Sequence, residues 1–423
     1  MGKLKNISGW GNFPKEQNAS LYLVGDRIDG AITIRGNGRS YGDAAIGKKV
    51  VSSLNLTKKL LFDANAKVLT VDAGFLLRDV LNYTLPLGYM IATLPGTQFV
   101  SIGGMIAADV HGKNHVKNGS IGNWIKELFI QINENESCWC SPVKNAELFN
   151  ATIGGMGLTG IILQAKIQLT PISSSTFQQK TSAAASIEEL ITLFKNSSDD
   201  YQVAWLDLLN AQHKYLLFSG NESNQIISSS FKLKSPKLNI PKLPFRVLSR
   251  FLMKTYNQLY YKRNYNLKEK TLDFNAFFFP LDKFNNWNHL YGKKGMIQYQ
   301  FILPEHNALI GFNEIIEQIK ISDHRPYLSV LKKYKKNTSP GLLSFPLNGF
   351  SLALDFPMKS GLISFLNELD QLVVRHRGRI YLAKDACLKA ENLEKMYPEL
   401  VNFKLFTANN KYSSNLATRL NIK

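Results

Sequence analysis

Short apolar runs that stop at glycine set the pattern of the first third of the chain. Residues 31–34 alternate as a β-strand and end at Gly36-Asn37-Gly38-Arg39-Ser40-Tyr41-Gly42-Asp43. Residues 68–74 predict a second strand with a glycine stop. Residues 76–85 follow as a helix with Leu77, Val80 and Leu81 on one face, ending before Pro86. Further glycine clusters stand at Ser101-Ile102-Gly103-Gly104 and over residues 154–160, with His111-Gly112-Lys113-Asn114-His115 between them. Composition changes near Thr170-Pro171, which predicts a domain boundary. Beyond it, residues 176–375 mix aromatic-rich strands, such as residues 296–302, with helices. Residues 378–385 predict a glycine-led strand, and the tail after it is helical and basic. No repeat of solenoid period is present. The expected organisation is α+β, with residues 1–171 as one domain, 172–375 as a second, and 376–423 returning to the first.

One stretch departs from this pattern. Residues 232–268 hold ten cations and no acid, with Pro236, Pro241 and Pro244 at the start. Val247, Leu248, Phe251 and Leu252 then follow helical spacing, with Arg246, Arg250 and Lys254 beside them at four-residue intervals. Such a helix suits an anionic membrane surface, or else a core helix with a solvated rim. The whole chain shares the bias, with 51 Lys plus Arg against 32 Asp plus Glu, a net of +19. The excess favours polyanionic partners without naming one.

Composition narrows the class further. At 423 residues and 44% apolar content, the chain has enough material for two or three packed domains, and disorder is a poor reading. No run of about 18 apolar residues suggests a membrane span, and the first residues lack a secretory apolar core. A cytoplasmic location is expected, with a peripheral position on the inner membrane face as an option. The three cysteines, Cys138, Cys140 and Cys387, do not build a disulfide framework, and Cys138-Trp139-Cys140 lacks a second thiol pair for a metal. No metal site is expected.

Repeated glycine turns after strands let a backbone approach a pyrophosphate closely. A nicotinamide-type fingerprint fails, because the first cluster reads G-x-G-x-x-x-G with no helix after Ala45, and no P-loop string occurs. The first cluster, Leu94-Pro95-Gly96-Thr97, the run from Ser101 to His115, and residues 154–162 together resemble, in order, the flavin loops of vanillyl-alcohol-oxidase-type (PCMH-type) FAD flavoproteins. Within that superfamily the chain is most similar to the decaprenylphosphoryl-ribose 2-oxidases, flavin subunits of an epimerase. Similarity continues through Ser8-Gly9-Trp10-Gly11, Gln298-Tyr299-Gln300-Phe301, Leu343-Ser344-Phe345-Pro346, Leu354-Asp355-Phe356-Pro357 and Tyr381-Leu382-Ala383-Lys384-Asp385.

The resemblance implies a PCMH-type FAD domain with an inserted substrate domain. It implies FAD contacts at Ile34, Arg35, Gly36, Asn37, Gly38, Arg39, Ser40, Tyr41, Gly42, Asp43 and Ala44. It adds Gly96, Ser101, Ile102, Gly103, Gly104, Ala108, Asp109, Val110, His111, Ile162 and Tyr381. Tyr41 stands where many members carry a flavin-linking histidine, so FAD is expected to be non-covalent. Lys384 is the implied cation for reduced flavin, and His111 a base or a hydrogen-bonding group, with Tyr41 beside them. Gln298, Gln300, Lys332 and Trp205 are implied to line the substrate pocket. Lys333, Lys335 and Lys336 also admit Lys332 as part of a solvated basic run. Ser351 and Ala353 replace an asparagine and a cysteine of mycobacterial members, and residues 18–31 are too short for a helix usual there.

The implied reaction is oxidation of the 2-hydroxyl of a polyprenyl-phosphoryl pentose. A separate NAD(P)H-dependent keto-reductase would complete an epimerisation that serves cell wall polysaccharide synthesis. A flavin oxidase of a soluble polyol or sugar lactone is the alternative, and a basic binding protein without turnover is a third reading. No nucleic-acid partner is expected.

Overall fold

A computed structural model of the chain describes residues 2–210, 212–335 and 339–423, so Lys336 lies outside the described residues. The chain builds three larger sheets with helices packed beside them, an α+β arrangement in which antiparallel pairing dominates. The first sheet runs Lys3–Ser8, Lys15–Leu23, Lys49–Ser52, Thr33–Arg35. The second runs Leu60–Asp63, Val68–Asp72, Ile161–Pro171, Ile125–Gln131, Ser137–Cys140, with Tyr89–Ile91 also on Ile161–Pro171. Alternation explains the second strand of this sheet: Leu69 and Val71 are fully buried, while Val68, Thr70 and Asp72 are half-buried. The helix Leu77–Thr84 buries Leu77, Val80 and Leu81 and gives way to a 3-10 turn through Pro86, as its spacing predicts.

The third sheet has eight strands in the order Glu269–Asp273, Thr176–Ala184, Lys214–Glu222, Tyr201–Asp207, Leu328–Tyr334, Gly349–Pro357, Met296–Pro304 and Arg379–Ile380. Its register separates two kinds of side chain. Tyr299, Phe301, Leu352, Leu354 and Leu331 share one face and pack into the core beside the helices Glu305–Ile321 and Leu362–Arg375. The opposite face carries Gln298 against Asp355, Gln300 against Ala353, and Ser351 against Lys332. A polar row in the middle of a large sheet costs burial free energy unless something polar meets it.

Three local expectations are corrected. Residues 378–385 are strand only at Arg379–Ile380; Lys384 N–H then donates to the Tyr381 carbonyl (2.9 Å) in a turn. Ser101 to Gly104 is not a loop but the start of the helix Ile102–Ala107, because the Ser101 hydroxyl caps it by accepting from Gly104 N–H (3.3 Å). In the basic segment Val247 and Leu248 precede the helix, which spans Arg250–Tyr265 behind the cap Ser249. That helix is inverted for a core element. Asn257 and Asn264 face inward, whereas Phe251 is 82% and Leu259 63% exposed.

The C-terminal segment packs on the first third of the chain. Ile32 N–H donates to the Lys411 carbonyl, Asn415 N–H to the Ile46 carbonyl (2.8 Å each), and the Tyr412 hydroxyl to the Gln131 carbonyl (2.9 Å).

Candidate active site

A cleft partly open to solvent runs between the first two sheets and the Tyr381–Lys384 turn. Its wall is formed by Ile34, Gly36, Asn37, Gly38, Arg39, Ser40, Ala44, Ser101, Gly103, Gly104, Ala108, Val110, Ile162, Tyr381 and Lys384, all singled out from sequence. Close approach explains the glycines. A Cβ on Gly36 would stand 2.0 Å from Ser101 Oγ, and Gly38 has φ +62°, where a side chain is strained. The N–H groups of Asn37, Gly38, Arg39 and Ser40 find no acceptor among the described residues. Four successive free donors on a cleft wall suit an anionic group such as a pyrophosphate.

Other residues singled out from sequence stand behind that wall. Arg35 donates to the Ala45 and Ser8 carbonyls (2.9 Å each), and Gly42 and Asp43 pack on Asp385 and Arg419. Ile102 is in the core, whereas Gly96, between the wall residues Pro95 and Thr97, faces open space, where an added Cβ would meet nothing within 4 Å. Asp109 is fully buried, accepting from Gly122 N–H and the Ser120 hydroxyl (2.9 Å each). Trp205 shares the polar face of the large sheet but packs on Tyr260 of the helix Arg250–Tyr265, with ring centroids 5.0 Å apart.

The cleft meets the large sheet at Lys384. Its ammonium lies 3.9 Å from the centre of the buried Tyr41 ring. Burial pulls the Lys384 ammonium down to about 7, although Asp355 opposes that and Lys332 adds to it. Asp355 is buried; one of its oxygens accepts from Gln298 Nε2 (2.6 Å), the other has no partner, and burial raises it to about 6. Gln300 Nε2 lies 3.2 Å from both His111 Nε2 and Ser351 Oγ. As an amide N–H can only donate, His111 Nε2 accepts and its proton is on Nδ1. Burial, with Lys332, His115 and Lys384 nearby, holds His111 well below its usual value, so the ring is neutral. Aromatic rings of Tyr334, Phe345 and Tyr381 enclose it at 5.0–5.5 Å.

Several residues of this region carry no assignment from sequence. Thr97, Met156, Gly157, Gly160 and Ala383 also line the cleft. Lys113, His115 and Asp355 join the polar side, and their signal is their place inside two of the motifs, beside His111 and in Leu354-Asp355-Phe356-Pro357. Among the described residues no group of three or more His, Cys, Asp or Glu side chains is arranged to hold a metal ion.

Comparison with known proteins agrees with this geometry. Residues 25–132 match the FAD binding domain family. Decaprenylphosphoryl-beta-D-ribose oxidase of Mycolicibacterium smegmatis is 34% identical over 387 residues, covering 87% of this chain and 84% of that protein. An uncharacterized protein in the mprA 5' region of Streptomyces coelicolor is 27% identical over 364 residues, 80% of this chain and 97% of that one. L-gulonolactone oxidase of Scyliorhinus torazame is 23% identical over 216 residues, about half of either chain. FAD is therefore the cofactor, and the cleft with its free donors fits it.

The Gly36–Ser101 contact makes a prediction. Gly36→Ala must displace Ser101, costing a cap of about 1 kcal/mol and crowding the loop. FAD affinity should fall by about ten-fold or more, equivalent to roughly 1.4 kcal/mol, by equilibrium dialysis. Unchanged affinity would show that the loop stands clear of the flavin.

Proposed function

Because this chain belongs to the decaprenylphosphoryl-β-D-ribose oxidase family, we propose that it oxidises the 2-hydroxyl of a polyprenyl-phosphoryl pentose of the ribose type to the 2-keto sugar. It is an FAD-dependent oxidoreductase. The observation that carries the reading is the junction at Lys384 of a glycine-lined cleft with the polar face of the large sheet.

Bound FAD supplies the hydride acceptor for the carbinol carbon. The chain supplies placement and charge. Residues 37–40 hold the pyrophosphate on their free N–H groups, and no covalent link forms because Tyr41 replaces the linking histidine and is buried under Lys384. Lys384, beside Asp355 and pulled down to about 7, takes the hydroxyl proton as a neutral amine and, once protonated, gives the positive charge that favours reduced flavin. His111 serves as a neutral hydrogen-bonding group, since its basic nitrogen already accepts from Gln300. Gln298, Gln300 and Lys332 orient the sugar from the sheet face, and Trp205 supports the far side of that face. A ketone product requires reduction from the opposite face to give the epimer, so a separate NAD(P)H-dependent keto-reductase is the natural partner. A soluble polyol or lactone substrate is the less favoured reading, because it leaves the exposed apolar and basic segment without a use.

The test is anaerobic mixing of the holoprotein with a polyprenyl-phosphoryl ribose. Flavin absorbance should bleach, and Lys384→Ala should keep its FAD but lose at least about 100-fold in bleaching rate, the order of an electrostatic stabiliser. Bleaching at a near-normal rate in the variant would remove the role given to Lys384.

A lipid-linked sugar also calls for a membrane surface. The helix Arg250–Tyr265 presents Phe251, Leu252, Tyr256 and Leu259 outward, with Arg263 and Lys262 exposed at its end and Arg246 exposed before it. Among the described residues no helix is long and apolar enough to cross a membrane, so the contact would be peripheral. The protein should co-sediment with anionic and not neutral vesicles, and high salt should reverse this. Arg246→Gln, Arg250→Gln and Lys254→Gln together should weaken binding and leave flavin content intact. Equal binding by both proteins would make the segment an ordinary solvated surface.

A further inference from the structure

Lys384 is held at its root and not at its tip. Its ammonium lies over the Tyr41 ring, yet it forms no hydrogen bond and no ion pair within 4.0 Å among the described residues. A lysine stem is flexible, so the place of this charge is set by the backbone that carries it. That backbone is tied on both sides. Lys384 N–H donates to the Tyr381 carbonyl (2.9 Å), and Tyr41 N–H donates to the Ala383 carbonyl (3.1 Å). Asp385, the next residue, is tied through its side chain. One of its oxygens accepts from the N–H groups of Cys387 (2.9 Å) and Leu388 (2.8 Å), and the other from Arg419 (2.9 Å).

Arg419 also grips the opposing loop. Its guanidinium donates to both oxygens of Asp43 (3.0 and 2.7 Å), two residues after Tyr41, and to the Leu388 carbonyl (2.5 Å). Tyr41 and Lys384 thus each stand within two residues of an acid held by the same side chain. Both acids are 4% exposed, and among the described residues Arg419 is the ion-pair partner of each. A planar fork of donors suits such a three-way grip, where an ammonium would not. The local fold turns Arg419 inward. Ser414 caps the helix Asn415–Arg419 by accepting from Ala417 N–H (3.2 Å), and Leu416 and Ala417 are buried in the core.

Resting on the role given to Lys384 above, we propose that Arg419 is a positioning residue for the reaction, setting Lys384 against Tyr41 by holding Asp43 and Asp385 at once. Arg419 does not line the cleft, so it acts through Lys384 and not on the flavin. Without the grip, the Lys384 turn can part from the Tyr41 loop and water reaches the ammonium. The amine then returns toward the ordinary lysine range and is protonated when a hydroxyl proton must be taken. Its charge is also displaced from the reduced flavin.

Wild type and variants, each loaded with FAD, would be mixed anaerobically with the polyprenyl-phosphoryl ribose. Arg419→Gln removes the grip but strands two buried acids, so Arg419→Gln with Asp43→Asn repeats the test with fewer stranded charges. Both should lose at least about ten-fold in limiting bleaching rate, while the half-saturating substrate concentration moves less than about three-fold. The pH profile separates placement from damage. A base that works as the neutral amine gives a rate that climbs through its own pKa, about 7 for Lys384. In both variants that limb should move to higher pH. Tyr41, Asp355, Lys332 and His111, the groups that face Lys384, are unchanged in them. A further readout needs no substrate. Below pH 7 the equilibrium constant for two-electron reduction of the flavin should fall about ten-fold, a potential about 30 mV lower. Arg419→Lys keeps a cation between the acids and should fold with a near-normal thermal midpoint, yet lose rate in the same way. Arg375→Gln, which removes an exposed pair with Glu314, should leave rate, profile and potential unchanged.

Normal rate and potential in the Arg419 variants overturn the proposal. So does a rate loss with the pH limb and the potential unmoved, which marks general damage to the fold. A wild-type flavin that the substrate does not bleach overturns instead the sugar-oxidase reading, and the potential then decides the role of Arg419.

Discussion

The site depends on one tight apposition, between the end of the first glycine loop and the turn that carries Lys384. A Cβ on Gly42 would fall 1.5 Å from the Asp385 carbonyl oxygen, so the two backbones touch where any side chain would intervene. Tyr41 N–H donates to the Ala383 carbonyl (3.1 Å) in the same contact. Arg419, close to the last position of the sequence, locks it by bonding Asp43 (2.7 Å) and Asp385 (2.9 Å). Burial raises Asp43 despite that help, and the two carboxylates hold the guanidinium firmly charged. Removing one member of so buried a group leaves an uncompensated charge, at about 3–5 kcal/mol. Nearly four hundred residues of sequence separation are thus closed at the point where cofactor loop and lysine meet.

From that contact the rest of the chemistry follows by registry. The Tyr381–Lys384 turn continues the edge strand Arg379–Ile380, which pairs with Met296–Pro304, so Lys384 is fixed relative to Gln298 and Gln300. The same strand is bonded to Gly349–Pro357, which adds Asp355 and Ser351, and through it to Leu328–Tyr334, which adds Lys332. One sheet face therefore delivers most of the polar groups of the site, while its other face is held by an apolar core. Burial then gives these groups their character: a neutral His111, a Lys384 ammonium pulled down to about 7, and in Lys332 a lysine with no ion pair among the described residues.

Much of this is legible in the sequence because glycine reports backbone geometry directly. Gly36 and Gly42 mark where chain and chain come too close for a Cβ, and Gly38 marks a left-handed turn. Strand and helix periodicity likewise locates residues 68–72 and 77–84. What is not legible is the identity of each residue's neighbours. Asp355 and Lys113 stand in recognisable motifs, yet only cross-strand register and the folding-over of residues 111–115 reveal which of them faces Lys384 and which faces Lys332. The same holds for the helix Arg250–Tyr265. Its spacing shows an apolar stripe, but only Asn257 bonded to Asp207 (3.0 Å) shows that the polar face is the one turned inward. Residues 381–385 predict strand because their composition is apolar; the hydrogen bond back to Tyr381 turns them instead.

The central claim is that a cleft lined by glycine turns holds FAD without a covalent link, with Tyr41 in place of a covalent anchor. Acid precipitation of the purified yellow protein tests it most directly. The account predicts a colourless pellet and a supernatant containing about one FAD per chain. Flavin retained on the denatured chain, or a protein that carries none, would contradict it.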